Sequence, residues 1–221
     1  MTERKKRTYD AARTKEIILD AAEQIFAELG YSAARIDAIA SAAGYNKSLI
    51  YQYFQDKLGL YTEVVKRADR LGNQMFQEAA GDLLSDETTL SDPAKFKRLL
   101  EEVITISYQF MSEHPSYLKI YSWEAAEEWK TWKKISYSPD DIFQFYKLAQ
   151  RAKENGIIRQ DMDAMMVPIV MMNAVIPFVQ SFRRVNNMLK NDDLEWTMSQ
   201  ERFREQIVKF VTHGVMEPSL I

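Results

Sequence analysis

The chain has 221 residues, 46% of them hydrophobic, enough to bury one large core or two smaller ones, which excludes global disorder. It holds no cysteine, which excludes disulfides, thiolate metal sites and a cysteine nucleophile and is compatible with a reducing compartment. The net charge of −3 is uneven: residues 1–70 hold 12 Lys/Arg against 10 Asp/Glu, and the remainder 17 against 22.

The first 15 residues carry 6 basic and 2 acidic side chains, concentrated in Arg4-Lys5-Lys6-Arg7. Residues 1–12 are expected to be a flexible basic arm, suited to lying along phosphates or entering a minor groove, or serving only solubility. The charged start lacks the apolar core of a signal peptide, so a cytoplasmic location is expected.

From about Arg13 to Leu29 the apolar residues Ile17, Ile18, Ala21, Ala22, Ile25, Phe26 and Leu29 recur at three and four, predicting an amphipathic helix. Gly30 follows it, where a left-handed glycine commonly ends a helix. A second, short helix is predicted from about Arg35 to Ala43, with Ile36, Ile39, Ala40 and Ala43 on its buried edge and Gly44 as the following turn. Asn46 is a good N-cap for a third helix, Lys47 to about Phe54. Ile50 and Phe54 face its core. Lys47, Ser48, Tyr51 and Gln52 share the opposite face and offer groups that bond to phosphates and base edges. Two short helices around a glycine turn, held by a longer first helix, form the layout of a helix-turn-helix DNA reader. A plain helical bundle with polar surfaces is the competing reading of that pattern.

A fourth helix is predicted from Lys57 to about Ala80, with Leu60, Val64, Ala68 and Leu71 in its stripe and Asp56 as cap. Gly81 to Pro93 is acidic, polar and bounded by Gly and Pro, the best linker candidate. Helices then resume over Ala94–Ser112, are broken at His114-Pro115, continue from Tyr117 to about Trp132, and reopen at Pro139 up to Asn155-Gly156. Met162–Phe182 is the most apolar stretch, but Pro168, Asn173, Pro177 and Gln180 interrupt it. Its uninterrupted run falls short of the roughly 18 residues a membrane span needs, so no membrane association is expected. The last helix covers about Ser199 to Val215. No β-hairpin signal and no internal repeat occur, so the chain reads as all-α.

The middle of the chain is rich in aromatic and methionine side chains, suited to a pliable apolar pocket or to an ordinary core. Glu124 and Glu128, four apart, are expected on one acidic face, which a solvated surface or a cationic aromatic ligand would explain. Enzyme chemistry finds no support. The seven glycines never cluster into a phosphate-cradling loop. Neither G-x-S-x-G nor H-E-x-x-H occurs, and His114 and His213 stand alone. No cofactor and no metal are expected.

The wording of the N-terminal segment is more specific than its pattern. Ile18-Leu19-Asp20-Ala21-Ala22, Phe26 with Gly30-Tyr31, Ile39-Ala40 with Ala43-Gly44, and above all Lys47 through Lys57 (KSLIYQYFQDK) with Leu60-Tyr61, resemble the TetR family of transcriptional regulators. Glu154 to Arg159 (ENGIIR) resembles a recurrent turn of that family. The resemblance implies a helix-turn-helix DNA-binding domain over 13–56, a connecting helix over 57–80 and a C-terminal helical ligand-binding and dimerisation domain over 81–221. It implies a homodimer on double-stranded DNA, most simply a repressor released from a palindromic operator by a small, largely hydrophobic effector. An activator or adaptor acting through a protein partner, and a helical carrier or enzyme, are the alternatives.

Residue by residue, the resemblance implies phosphate contacts for Lys47 and Lys57, a backbone contact for Tyr51 and a packing role for Tyr53. Ser48 and Gln52 complete the DNA-facing set. Two positions depart from the family pattern. Ala34 and Arg35 stand where a threonine or serine is usual, with Arg35 able to substitute by charge or meet a base, and Leu49 replaces a frequent threonine. A ligand pocket would draw on Tyr108, Tyr121, Trp123, Trp129, Phe143, Tyr146 and Met171. A four-helix dimer interface would draw on Val175, Phe178, Phe182, Phe203, Ile207 and Phe210.

Overall fold

The computed structural model describes residues 2–135, 141–189 and 199–221, and among them nine α-helices carry the fold. They are α1 (Thr2–Ala33), α2 (Ile36–Ala43), α3 (Lys47–Phe54), α4 (Lys57–Ser85), α5 (Pro93–Glu113), α6 (Pro115–Ala126), α7 (Asp141–Glu154), α8 (Met166–Leu189) and α9 (Gln200–Val215), with 3₁₀ turns at Trp132–Lys134 and Pro218–Leu220. The only β pairing among the described residues is an isolated bridge between Ile158 and Met216. The all-α expectation therefore holds. Pro139, expected to open a helix, lies outside the described residues.

Contacts divide the chain into two compact units: Met1–Leu71 with His114–Ser138, and Gly72–Glu113 with Pro139–Ile221. α4 thus passes from one unit to the other between Leu71 and Gly72, and α6 belongs with the N-terminal helices. That grouping differs from the expected division, which placed everything after residue 80 in a second domain.

In the first unit α1 packs on α2 and α6, and α2 packs on α3. Ile18, Ala22, Phe26, Ile39 and Ile50 are fully or nearly fully buried, so the predicted stripe is the core. Leu29 departs from it and is 43% exposed. α1 begins at Thr2, not near Arg13. Lys, Arg and Ala, which dominate residues 4–13, are good helix formers, and nothing in that stretch breaks a helix. The α1 helix also continues past Gly30, whose φ of 70° and ψ of 169° put a kink there and not a left-handed cap. α4 runs five residues beyond Ala80, so the linker contracts to residues 86–92. Lys95 Nζ donates to Asp86 Oδ2 at 2.6 Å and Asp92 Oδ1 accepts from the Ala94 amide at 2.9 Å, closing that loop onto the start of α5.

In the second unit α5 buries Phe96, Leu99, Leu100, Ile104 and Phe110, and it packs on α8 and α9. α8 contains Pro177, and Ser199 caps α9 by accepting from the Arg202 amide at 3.1 Å. Among the described residues no helix is long and apolar enough to cross a membrane.

Candidate nucleic-acid interface

Local sequence builds the presenting helix. Asn46 stands in extended conformation and its Oδ1 accepts from the Leu49 amide at 2.9 Å, satisfying a donor that a helix start leaves open. Gly44 closes α2 in the left-handed conformation and returns its amide to Ser41 O at 3.2 Å. After Phe54 the chain turns through Gln55 (φ 69°, ψ −56°), where the Asp56 amide donates to Phe54 O at 2.8 Å, a γ-turn. Asp56 Oδ1 then accepts from the Gly59 amide at 2.7 Å and caps α4 as expected.

Ile50 and Phe54 point inward and are buried, while Lys47, Ser48, Tyr51 and Gln52 are exposed together on the other face of α3. Tyr51 is 45% exposed, a large aromatic turned to solvent. Lys47 Nζ pairs with Asp37 Oδ1 at 3.2 Å. Both side chains are mostly exposed, so the pair is worth only about 0–1 kcal/mol and a phosphate can replace Asp37. Arg35 occupies the N-cap position of α2, exposed and without a side-chain capping bond. Ala34 is buried, so it cannot reach DNA. Tyr53 is half-buried beneath Lys15 Nζ, 5.4 Å from the ring centroid, consistent with a packing role.

Lys57 is placed differently from its companions. Its Nζ stands 4.4 Å from the Tyr31 ring centroid and donates to Ser32 O at 3.3 Å. Burial lowers its pKa from the ordinary lysine value, with Glu127 opposing the shift. Its ammonium is thus engaged with the end of α1.

The same unit holds a network that sequence reasoning missed. Tyr61 packs edge-on against Phe26 and Tyr31, at 4.9 and 5.1 Å between centroids, and its hydroxyl donates to Glu124 Oε1 at 2.6 Å. The Trp132 amide donates to the other Glu124 oxygen at 3.1 Å. Burial, followed by that hydrogen bond, pushes the Tyr61 phenol well above its ordinary range. Glu124 is 2% exposed, so it is not part of an acidic face, and Glu128 lies beyond the end of α6 at φ 60°. A partnered buried carboxylate replaces the expected repelling pair. Arg67 forms a second lock, donating to Asp20 at 2.7 Å, Glu16 at 3.4 Å, Glu23 at 2.5 Å and Tyr117 Oη at 3.2 Å. No sequence signal at Arg67 or Glu124 marks these bonds, because each partner lies far along the chain.

The candidate pocket residues are not brought together in one unit. Tyr121, Trp123 and Trp129 belong to the first, where Tyr121 meets Trp129 edge-on at 4.9 Å. Tyr108, Phe143, Tyr146 and Met171 belong to the second. There Tyr108 and Met171 are buried, Phe143 is 61% exposed, and Tyr146 lines an open cleft of about 390 Å³ with Gln150, Lys153 and Asp163. Of the candidate interface residues, Val175, Phe182 and Ile207 are buried within the protomer. Phe178 meets Phe203 edge-on at 5.7 Å, and Phe210 is 67% exposed. Among the described residues no group of three His, Cys, Asp or Glu side chains is placed to hold a metal ion.

The model of the bacterial regulatory proteins of the TetR family matches residues 18–64, and that of the tetracyclin repressor-like C-terminal domain matches residues 97–211. The chain belongs to the TetR family. This is a family of transcriptional regulators and not of enzymes. The HTH-type transcriptional repressor NicS of Pseudomonas putida is 30% identical over 118 residues, covering 53% of this chain and 51% of NicS. The chain thus spans about half the length of that curated relative. Among solved structures, the putative transcriptional regulator SCO4942 from Streptomyces coelicolor superposes with a TM-score of 0.65 at 19% identity, over 91% of this chain and 98% of that one. The SmeT–triclosan complex superposes at 0.63 with 17% identity, over 95% and 94%. At these identities the structural likeness speaks for the fold alone.

Proposed function

We propose that this TetR-family protein is a homodimeric repressor that binds a palindromic operator through α3 and is released by a small, largely hydrophobic effector in the cytoplasm. The observation that carries the reading is the α3 face: Lys47, Ser48, Tyr51 and Gln52 stand exposed together while Ile50 and Phe54 anchor the helix. Arg35 supplements it from the start of α2, and Lys57 supports it chiefly by fixing the end of α1. A single face with so few base-reading groups binds weakly, and two copies on one dimer gain affinity by acting together. Exposed Met166, Ile169, Val185 and Met188 of α8 and Phe210 of α9 are the apolar groups that a second copy would cover. Buried Val175, Phe182 and Ile207, with Phe178 and Phe203, support that face from within.

An effector is supported by the match to the family's C-terminal domain. Tyr108, Tyr146 and Met171 are this chain's candidates for the second unit, and Tyr121, Trp123 and Trp129 those for the first. By linkage, an effector that weakens DNA binding is itself weakened by DNA to the same factor. The second reading, an activator or adaptor working through a protein partner, draws on the buried Ala34 and the apolar Leu49, which thin the polar contacts of the face.

Selection of random duplexes by the pure full-length protein near 0.15 M salt tests the proposal. The expected product is a palindrome whose half-sites are centred roughly 34–36 Å apart, and whose enrichment disappears with Tyr51→Ala. Uniform, salt-sensitive binding without enrichment would refute sequence-specific repression by this protein alone and favour the adaptor.

A further inference from the structure

Beyond the end of α6 the chain carries the run Trp129-Lys130-Thr131-Trp132-Lys133-Lys134, within the same unit as α3. Glu128 and Trp129 enter it with a left-handed φ of 60° each, a conformation that costs free energy for a residue with a side chain and needs surrounding structure to hold it. That structure is present. Thr131 and Ile135 are buried, and the Trp129 ring meets Tyr121 and Trp132 edge-on at 4.9 and 6.0 Å. The Lys133 amide donates to Trp129 O at 3.1 Å and the Lys134 amide to Thr131 O at 2.9 Å. Lys133 and Lys134 therefore stand side by side, exposed, on a 3₁₀ turn with buried flanks. The nearby carboxylates are engaged elsewhere: Glu124 accepts from Tyr61 and the Trp132 amide, Glu127 accepts from Ser32 Oγ at 2.9 Å, and Glu128 pairs with Lys130 at 3.5 Å. Among the described residues neither Lys133 nor Lys134 pairs with a carboxylate.

This turn is tied to the elements that flank α3 in the chain. The Glu124 carboxylate joins it to Tyr61, one helical turn after Lys57 on α4. Glu127 holds Ser32, just ahead of α2, and the Ser32 carbonyl also accepts from Lys57 Nζ. Free positive charge is scarce there, since Lys47 is the single lysine of α3 and Lys57 is engaged with Tyr31 and Ser32. We propose that Lys133 and Lys134 form a second contact with the phosphate backbone of DNA, beside the α3 face. Two point charges on an ordered turn suit phosphates and read no base. The Trp129 and Trp132 rings are half-buried in their own cluster and are not free to enter a lipid surface, which favours DNA over an anionic membrane. That the duplex is the one met by α3 rests on the function proposed above; the presentation of the two lysines does not.

Salt titrations of the full-length protein on the duplex selected with the wild type test this contact. The double variant Lys133→Gln/Lys134→Gln is expected to bind that duplex and its single-base variants more weakly by one common factor, about ten-fold near 0.15 M salt, and to lower the salt slope by about 2 for each bound protomer. Lys147→Gln/Arg151→Gln removes the same charge from exposed positions in the other unit and should leave the slope near that of the wild type. Ethylation interference should show phosphates that matter to the wild type and to Lys47→Ala but no longer to the Lys133/Lys134 variant. An unchanged slope, or an equal fall in the Lys147/Arg151 control, overturns the contact. So does an unchanged slope joined to lost sedimentation with phosphatidylglycerol vesicles, which would assign the turn to a lipid surface. If the wild type selects no duplex, the reading of α3 fails, and the slopes measured on one arbitrary duplex at low salt still judge the two lysines.

Discussion

Gly59 owes its identity to a backbone oxygen. A Cβ at that position would stand 2.1 Å from Phe54 O, in the tight turn that closes α3 and opens α4. The Gly59→Ala protein is expected to lose about 3 kcal/mol in a urea titration, because the clash is with backbone and has no flexible side chain to yield. Gly30→Ala meets both an unfavourable φ and the Trp123 ring, and a loss of about 2–3 kcal/mol is expected there. An unchanged midpoint in either variant would contradict the assigned geometry. The two glycines also mark how far single residues are legible. The caps Asn46 and Asp56 act on neighbours three residues away, so their roles follow from local sequence, and the structure shows both bonds. Gly30 invites the reading of a left-handed cap, whereas its conformation and its contact with Trp123 depend on a helix formed much later in the chain.

Among the elements, α2 and α3 are the most legible, since short amphipathic patterns with their own caps leave little for tertiary context to alter. The ends of α1 and α4 are less so. Nothing local stops a helix through Arg4–Arg13 or through Gly81, and the linker suggested by its acidic composition is mostly helix and capped loop. The attachment of α6 to α1 and to α4 was invisible because the Trp123–Ala27 and Tyr61–Glu124 bonds are long-range pairings of ordinary residue types. Tyr61→Phe leaves one oxygen of a buried carboxylate without its donor, and a loss of about 1–3 kcal/mol is expected; chemical denaturation with no measurable change would show the bond to be dispensable. Alkaline pH probes the same unit. Burial, with the Glu23 carboxylate adding and Arg67 opposing, pushes the Tyr117 phenol up to about 12 from an ordinary value of 10.0. The folded state thus keeps a proton that the unfolded chain releases, so this contribution is complete below pH 10.0 and falls away as pH rises toward about 12. Tyr117→Phe should flatten stability across that interval, and an unaltered slope would count against the assignment.

At the scale of the whole molecule, the exposed face of α3 was the most legible part of the candidate site because one short helix carries it. The pocket and interface sets were less so. Aromatic and methionine residues serve a protomer core and a binding surface equally well, and only packing tells that Val175 and Ile207 are buried inside while Phe210 and Met188 are exposed. Chemistry divides the α3 face in a measurable way. Lys47 offers a point charge suited to phosphate, whereas Gln52 offers an amide able to pair with the edge of a base. Titrating the selected duplex and its single-base variants across a range of salt, with wild type, Lys47→Ala and Gln52→Ala, is the most direct test. Lys47→Ala should weaken binding to every duplex alike and reduce the salt slope by about 1. Gln52→Ala should relax discrimination at one position of each half-site by about 1–3 kcal/mol and leave the slope unchanged. If both variants match the wild type in affinity, slope and discrimination, the face of α3 is not what meets DNA.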